Sequence, residues 1–549
     1  MSNLLCSLCG IQLPRSKDIS SPVPELLGTN SGPTSTQTEA IKQYLIDVDN
    51  AIQLLEKQIQ QLKAGITMLN TRKEDLKALA EEHRALLSPA RRIYPELLSE
   101  IFSFFIHSNL FETQGDYMPE IKDNFDPNHG PLLLTRICSS WRMAAIATPE
   151  LWAIIRFIVK PRRRFNLMDI WLERSGERNL IIAILDDSAY DVAEFMVAAT
   201  APCNQQALRL LSSQAHRWQT ALFHLPRFKE CWDAFGAAKG RIKQLRRLEI
   251  DVTRPTWQDY IPDIFSDSKL LTALTLTNCL FPIFRLPICR EKITRLEFGV
   301  GDEADSLIPI DTFLEGLLCL PNLEHLEIGN EGVFAPATSP FTRVVALPKL
   351  LTLRLIQLPQ PDQPWHGMAE LWQALQLPNL VVLIVECEPP QREWIHSPFI
   401  TCITRCSKLQ RLTLMSPSIQ QEQLIEVFHN TPGITKLKIG LSGFGQSCGI
   451  LDHIRSQTTL PRLSTLDITL LPVSRIGLAM VVGIFVKVAK NRMTCAAEGH
   501  VQLQTVSLDT LRPERTLITQ ALSLFQSHLR TSDRIRLIHD PDSITLERA

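Results

Sequence analysis

The feature that most restricts what this chain can fold into is a spacing. Nine times between residues 245 and 468, a leucine or isoleucine is followed three positions on by leucine and two further on by another apolar residue. The triplets are Leu245, Leu248, Ile250; Leu271, Leu274, Leu276; Ile293, Leu296, Phe298; Leu323, Leu326, Ile328; Leu350, Leu353, Leu355; Leu380, Leu383, Val385; Leu409, Leu412, Leu414; Ile434, Leu437, Ile439; and Leu463, Leu466, Ile468. Their first members lie about 22 to 30 residues apart. Alternate side chains of an extended segment share one face, so each triplet predicts a short strand with its apolar members turned into a core. Segments such as 311–320 and Gln421–Asn430 then return the chain as helices, and stacked units share that core. Leu-Pro pairs at 320–321, 347–348, 377–378 and 460–461 stop each helix and set the register.

This period is the one used by leucine-rich repeats. Cys279 fills the place of the usual Asn or Cys in the best unit, and most units lack it, so the repeats read as irregular. Weaker relatives at 151–157, 180–185 and 218–222 read as degenerate first repeats over 157–240, ahead of a solenoid over 241–549. Independent βα units in a doubly wound sheet are the alternative, but those strands would be longer β-branched runs without a fixed leucine grid. Residues between the leucines face outward: Thr272, Ala273 and Thr275; Glu324, His325 and Glu327; Gln410, Arg411 and Thr413; Thr435, Lys436 and Lys438; Ser464, Thr465 and Asp467. That face is acidic in the middle and basic later. Glu324, His325, Glu327, Arg411, Lys436 and Lys438 are therefore candidate substrate contacts, although solvated strand residues would read the same.

From 39 to 87 the period changes to seven. Leu45, Ile52, Ile59 and Ile66 hold one seam position; Ile41, Val48, Leu55, Leu62, Leu69 and Leu76 hold the other, which predicts a coiled-coil helix. Ile facing Leu suits a parallel dimer. Against it, Arg72 would face Lys77, Gly65 interrupts the run, and Lys73 and His83 enter the seam. A homodimer through this helix and a helix packed on its own chain both fit. Residues 1–38, rich in Ser, Pro and Thr, read as a disordered tail. Their Cys6 and Cys9 form a lone C-x-x-C, and a zinc site would need two further ligands, while the next cysteine is Cys138.

Between these parts, residues 88–156 carry two apolar helical patterns separated by a polar insert. Pro95, Leu97, Leu98, Ile101, Phe102 and Phe105 form the first; Leu133, Leu134, Ile137, Cys138, Trp141 and Ala145 form the second, with Pro149, Leu151 and Trp152 just beyond. Short amphipathic helices cannot bury such faces alone, so a partner or a following domain must cover them. An ordinary helical hairpin with core Leu and Trp is the plain alternative. The run Pro95-Glu96-Leu97-Leu98 with Ile101-Phe102, then Ile137, Cys138, Trp141 and Arg142, then Thr148, Pro149, Leu151 and Trp152, resembles the F-box family, specifically its fungal members with an N-terminal coiled coil. Here Tyr94 stands where the family has leucine, and residues 107–131 are inserted.

The resemblance implies a helical box that docks on the S-phase-kinase-associated adaptor and, through it, on the cullin of an SCF-type ubiquitin ligase, with substrate held elsewhere on the chain. Pro95, Leu97, Leu98, Ile101, Phe102, Ile137, Cys138, Trp141, Leu151 and Trp152 are the adaptor-binding residues it implies. The expected architecture is an α/β repeat protein: a coiled-coil helix, a helical F-box and an irregular leucine-rich-repeat solenoid. A repeat scaffold with no ubiquitin role is the rival reading.

Composition removes other classes. Lys plus Arg (57) nearly cancels Asp plus Glu (58), so the net charge of -1 gives no general attraction to nucleic acid or acidic lipid. The most apolar stretch, 476–486, is too short to span a bilayer and predicts a buried helix. The N-terminus does not read as a secretory signal, and thirteen scattered cysteines, among them Cys138, Cys279, Cys319 and Cys402, suit reduced thiols in a cytoplasmic or nuclear protein. Lys160, Pro161, Arg162, Arg163 and Arg164 fit a nuclear-import signal and a solvated linker equally. Walker and H-E-x-x-H motifs are absent, and Gly440 to Gly445 does not fit G-x-G-x-x-G, so no catalytic residue, metal or cofactor is assigned.

Overall fold

The computed structural model describes residues 4–5, 12–13, 20–108, 124–159, 167–186, 202–225, 232–233, 235–251, 263–277, 285–300, 308–330, 334, 337, 342–357, 367–387, 394–416, 418–441, 444–456, 459–470, 475–494, 501–510, 535–539 and 543–548. Cys6, Cys9, Cys279, the basic run at 160–164 and residues 109–123 of the insert lie outside them. The chain divides into two units, Met1–Tyr94 and Pro95–Ala549.

The first unit is dominated by α1 (Ser35–Leu86), 52 residues long. Thr34 and Gln37 fix its start. Gln37 Oε1 accepts from the Thr34 N–H (2.9 Å) and Thr34 Oγ1 from the Gln37 N–H (3.4 Å), a reciprocal cap that begins the helix four residues ahead of the heptad. The helix continues through Gly65, because one glycine costs only about 1 kcal/mol against alanine and good helix formers flank it. Its seam residues Leu45, Ile52, Leu55, Ile59, Ile66, Leu69 and Leu76 are exposed.

The second unit opens with four short helices, α2 (Pro95–Ser108), α3 (Gly130–Ile137), α4 (Ser139–Ile146) and α5 (Pro149–Trp152). The sequence pattern predicts α3 and α4 as a single helix. The structure breaks it at Cys138, whose backbone is extended and whose Sγ accepts from the Trp141 N–H (3.5 Å), so that the cysteine caps a new helix.

A mixed α/β body follows, built on one 15-stranded sheet. In chain order its strands are β1 (Ile154–Val159), β2 (Leu180–Asp186), β3 (Trp218–His224), β4 (Arg247–Asp251), β5 (Ala273–Thr277), β6 (Arg295–Val300), β7 (His325–Asn330), β8 (Thr352–Gln357), β9 (Val382–Cys387), β10 (Arg411–Met415), β11 (Lys436–Leu441), β12 (Thr465–Leu470), β13 (Thr505–Thr510), β14 (Ile535–His539) and β15 (Ser543–Arg548). From β1 to β13 every neighbour is parallel and spatial order equals chain order. The middle leucine of each triplet falls on one line of register: Leu248, Leu274, Leu296, Leu326, Leu353, Leu383, Leu412, Leu437 and Leu466, extended by Ile155, Ile182 and Ala221 on one side and Val506 on the other. All are buried, which is what a period-2 strand with one core face requires.

Parallel neighbours need crossovers. Among the described residues these include α6 (Met168–Arg174), α7 (Pro202–Ser213), α8 (Ile310–Leu318), α9 (Met368–Ala374), α10 (His396–Ile403), α11 (Gln421–Asn430), α12 (Phe444–Arg455) and α13 (Arg475–Thr494). From α8 to α13 each packs on the next. A common turn precedes the strands: the N–H of Leu323, Leu350, Leu380 and Leu463 donates to the carbonyl of Leu320, Leu347, Leu377 and Leu460 respectively (3.1 to 3.2 Å). Proline follows each acceptor, where its fixed φ suits position i+1 of a turn. Gly367, with φ 79, lets the start of α9 approach α8 so closely that a Cβ there would sit 2.8 Å from the Ile310 Cβ.

The two sheet ends differ from the parallel series between them. Beyond β13 the series reverses, with β15 antiparallel to β13 and β14 antiparallel to β15. At the β1 edge, Asn124 exchanges hydrogen bonds with the Arg156 backbone (2.9 and 3.3 Å), occupying groups an open edge would present. Residues 476–486 lie in α13, with Val481, Val482, Phe485 and Val486 buried, and no described helix is long and apolar enough to cross a membrane.

Candidate functional site

Two surfaces of the second unit present side chains that the core does not use. One is the outer side of α2. Leu98, Phe102 and Ile106, four residues apart, form its buried stripe, which α3, α4 and α5 cover. The bundle is pinned by Phe102 against Trp141 (ring centroids 4.9 Å), by the Trp152 indole N–H on the Ala145 carbonyl (2.8 Å), and by Thr148 Oγ1 on the Ala144 carbonyl (2.7 Å). Trp152 stacks edge-on against Trp171 (4.7 Å), with the Arg174 guanidinium 4.4 Å above its ring.

The opposite side of α2 is equally apolar, and much of it is exposed among the described residues. Leu97 (55% exposed), Ile101 (50%), Phe104 (77%) and Phe105 (44%) lie along it, and Ile137, Met143 and Ile146 are exposed on α3 and α4. Large apolar side chains so displayed mark a surface that something covers.

The ten residues implied as adaptor contacts therefore separate. Leu97, Ile101 and Ile137 are exposed, as is Pro95, while Cys138 and Trp141 are half-buried. Leu98, Phe102, Leu151 and Trp152 are buried in the core of their own chain, where they hold the bundle and are closed to a partner. Phe104, Met143 and Ile146 carry the same exposed character and were not singled out by spacing. The signal for Phe104 is the Phe104-Phe105 pair, which widens the apolar pattern beyond what one buried stripe needs.

The second surface is the outward face of the sheet, where charges cluster across neighbouring strands. Arg295 contacts Glu297 (2.7 Å), Arg247 reaches Glu249 (3.8 Å) and Glu297 (3.5 Å), and Arg354 bridges Glu327 (3.3 Å) and Glu386 (3.0 Å). Thr275 also donates to Glu297 (2.9 Å). Burial pushes the Glu327 carboxyl above its ordinary range; Arg354 and Arg295 oppose the shift, and Glu297 and Glu386 add to it. Toward β3, burial acts to lower the pKa of His224, but its hydrogen bond to Glu249 (3.1 Å) and the charges of Asp251 and Glu249 outweigh that and leave it raised.

Farther along, the pattern changes. Arg411 on β10 and Lys436 and Lys438 on β11 stand in one neighbourhood of the face, with Arg411 paired in register to Lys436, and none has an ion-pair partner among the described residues. Of the six candidate substrate contacts, Glu327 is thus tied into the acid–arginine network, Glu324 and His325 are part-exposed at its border, Arg411 and Lys436 are exposed and Lys438 is part-exposed. Among the described residues no group of His, Cys, Asp or Glu could hold a metal ion.

A raised acid makes a testable statement. Glu327→Gln is expected to raise the unfolding temperature at pH 7 by no more than a few degrees. A carboxyl whose pKa rises on folding costs nothing below both pKa values and costs stability once pH passes the ordinary carboxylate range, so the gain should vanish at acid pH. Thermal melts of both proteins across pH check this; a variant less stable than wild type at pH 7 would show that Arg354 pairing dominates.

No family model matches the chain, and no curated protein matches it. Among solved structures it is similar to a protein from Bacteroides fragilis known from a structural genomics crystal structure, at 13% identity with a TM-score of 0.24. That similarity covers 57% of this chain and 66% of the other, just under two thirds of its length.

Proposed function

We propose that this chain is a substrate-recognition subunit of an SCF-type cullin-RING ubiquitin ligase. In this reading residues 88–156 are an F-box, the sheet with its return helices is an irregular leucine-rich-repeat solenoid, and the chain binds partners without catalysing a reaction itself. The observation that carries the reading is the exposed stripe of Leu97, Ile101 and Phe104 on a helix whose opposite stripe, Leu98, Phe102 and Ile106, is buried. A helix apolar on both sides, held at the surface of a small bundle, is suited to being covered by another protein, and the resemblance of Pro95–Phe102 to the F-box motif supports the adaptor as that protein.

The solenoid face would receive the substrate. Four of its acids are engaged by Arg247, Arg295 and Arg354, whereas Arg411, Lys436 and Lys438 have no ion-pair partner among the described residues and favour an acidic segment of the substrate. The test is capture of purified adaptor and cullin by the full chain and by a Leu97→Asp, Ile101→Asp variant. Both changes are at exposed positions and spare the core, so the expected result is capture by wild type and none by the folded variant. Failure of the wild type to capture the adaptor would leave a repeat scaffold with no ubiquitin role.

A further inference from the structure

We infer that α1 is a dimerisation helix that pairs with a second copy of itself in antiparallel orientation. Its seam from Ile41 to Ala80 is exposed or part-exposed throughout, and no other described helix of the chain exceeds the 20 residues of α13, so the seam has no partner of its own length among the described residues. The choice of a second copy rests on self-complementarity under a two-fold axis between Gln60 and Gln61.

About that axis, seam residues meet as Leu45 with Leu76 of the second copy, Ile52 with Leu69, Ile59 with Leu62, Ile66 with Leu55, and Ile41 with Ala80. Every central layer is apolar. Lys73 meets Val48, so the two Lys73 side chains lie at opposite ends. In a parallel dimer Lys73 would face Lys73 inside the seam, two like charges at a desolvated position.

The flanking positions agree. Antiparallel pairing sets Glu56 against Lys63 of the second copy, twice by symmetry, at the centre of the interface. Glu56 and Lys63 have no ion-pair partner among the described residues, whereas Glu39 holds Lys42 (2.8 Å), Glu74 holds Lys77 (3.0 Å) and Glu81 holds Arg84. The remaining contacts are Asp49 with Asn70, Tyr44 with Leu79, Ala51 with Arg72, Gln58 with Gly65, and Lys42 with Lys77, whose like charges sit at the solvated ends beside their own glutamates. A parallel dimer offers Tyr44 with Asp49, Ala51 with Glu56, Gln58 with Lys63, Gly65 with Asn70 and Arg72 with Lys77, which contains one repulsion and no attraction. At 1.5 Å per residue α1 is about 78 Å long.

Sedimentation equilibrium of the full chain, run from low to high micromolar, tests this. Wild type is expected to dimerise. Glu56→Lys turns two attractions into two repulsions and should weaken the dimer roughly tenfold, and adding Lys63→Glu should restore it. Ile59→Asp should give monomer. Monomeric wild type, or a dimer that survives Ile59→Asp, overturns dimerisation through α1. A dimer indifferent to Glu56→Lys, or not restored by the double exchange, overturns the antiparallel orientation, because in a parallel pair those residues face only Ala51 and Gln58.

Discussion

Leu98→Asp is expected to unfold or loosen the α2–α5 bundle, while Ile101→Asp, three residues away on the same helix, leaves its stability within about 0.5 kcal/mol. Leu98 is 1% exposed and packs with Phe102, also 1% exposed, under the neighbouring helices. Removing the leucine alone costs about 2–5 kcal/mol, and a carboxylate in its place adds the cost of desolvating a charge. Ile101, half exposed, loses little by becoming polar. Chemical unfolding followed by tryptophan fluorescence separates the two, because Trp141 and Trp152 sit in the bundle. In the proposed ligase subunit both variants lose adaptor capture, but only Ile101→Asp does so with the bundle intact. An Ile101→Asp protein that still captures the adaptor would move the docking face off α2, and a stable Leu98→Asp protein would contradict the packing.

Arg492→Leu is the second large effect. This guanidinium is buried at the end of α13 and donates to three carbonyls: Ile454 (3.1 Å), Thr459 (3.0 Å) and Leu460 (2.7 Å). Burial lowers its pKa to about 10, which still leaves it charged at neutral pH. Two of its acceptors lie at places the local backbone serves poorly. Ile454 lies in the last turn of α12, whose final carbonyls have no helical partners. Leu460 is the one described non-glycine residue with positive φ (52°), directly before Pro461, so Arg492 braces a turn the backbone does not favour. Leucine would remove all three guanidinium hydrogen bonds, leaving the Leu460 carbonyl with the Leu463 N–H alone, at a cost of about 3 kcal/mol or more. The loss should be read as a lower unfolding midpoint together with faster amide exchange at 459–463. Arg492→Lys should recover only part of it, since an ammonium lacks the planar fork. A midpoint unchanged in Arg492→Leu would mean that other groups satisfy these carbonyls.

How much of this was legible depends on what each residue advertises. Strands β4 to β12 are readable because Leu248, Leu274 and their successors recur at a fixed offset, and only a strand explains an i+3, i+5 apolar grid. For β1 to β3 the grid fades: Ile155 and Ile182 sit in continuous apolar runs, and Ala221 stands where leucine is expected. The break at Cys138 is invisible to periodicity, because Leu134, Ile137, Cys138, Trp141 and Ala145 keep helical phase across it. The inside and outside of α2 were not separable either, since Leu97, Leu98, Ile101, Phe102, Phe104, Phe105 and Ile106 make both sides apolar, and only packing shows which stripe the chain keeps. The network of Arg354, Glu327 and Glu386 needed the register of three strands, and Arg492 reads in sequence like any surface arginine.

The most direct measurement of the proposed role is amide hydrogen exchange of the full chain with and without the purified adaptor. Docking on the outer side of α2 predicts slowed exchange confined to Leu97–Phe105 and to the α3–α4 segment around Ile137 and Met143, with the sheet strands unchanged. Exchange that does not change anywhere in α2 to α4 at saturating adaptor would contradict the assignment of this surface, and with it the reading of the chain as a ligase subunit.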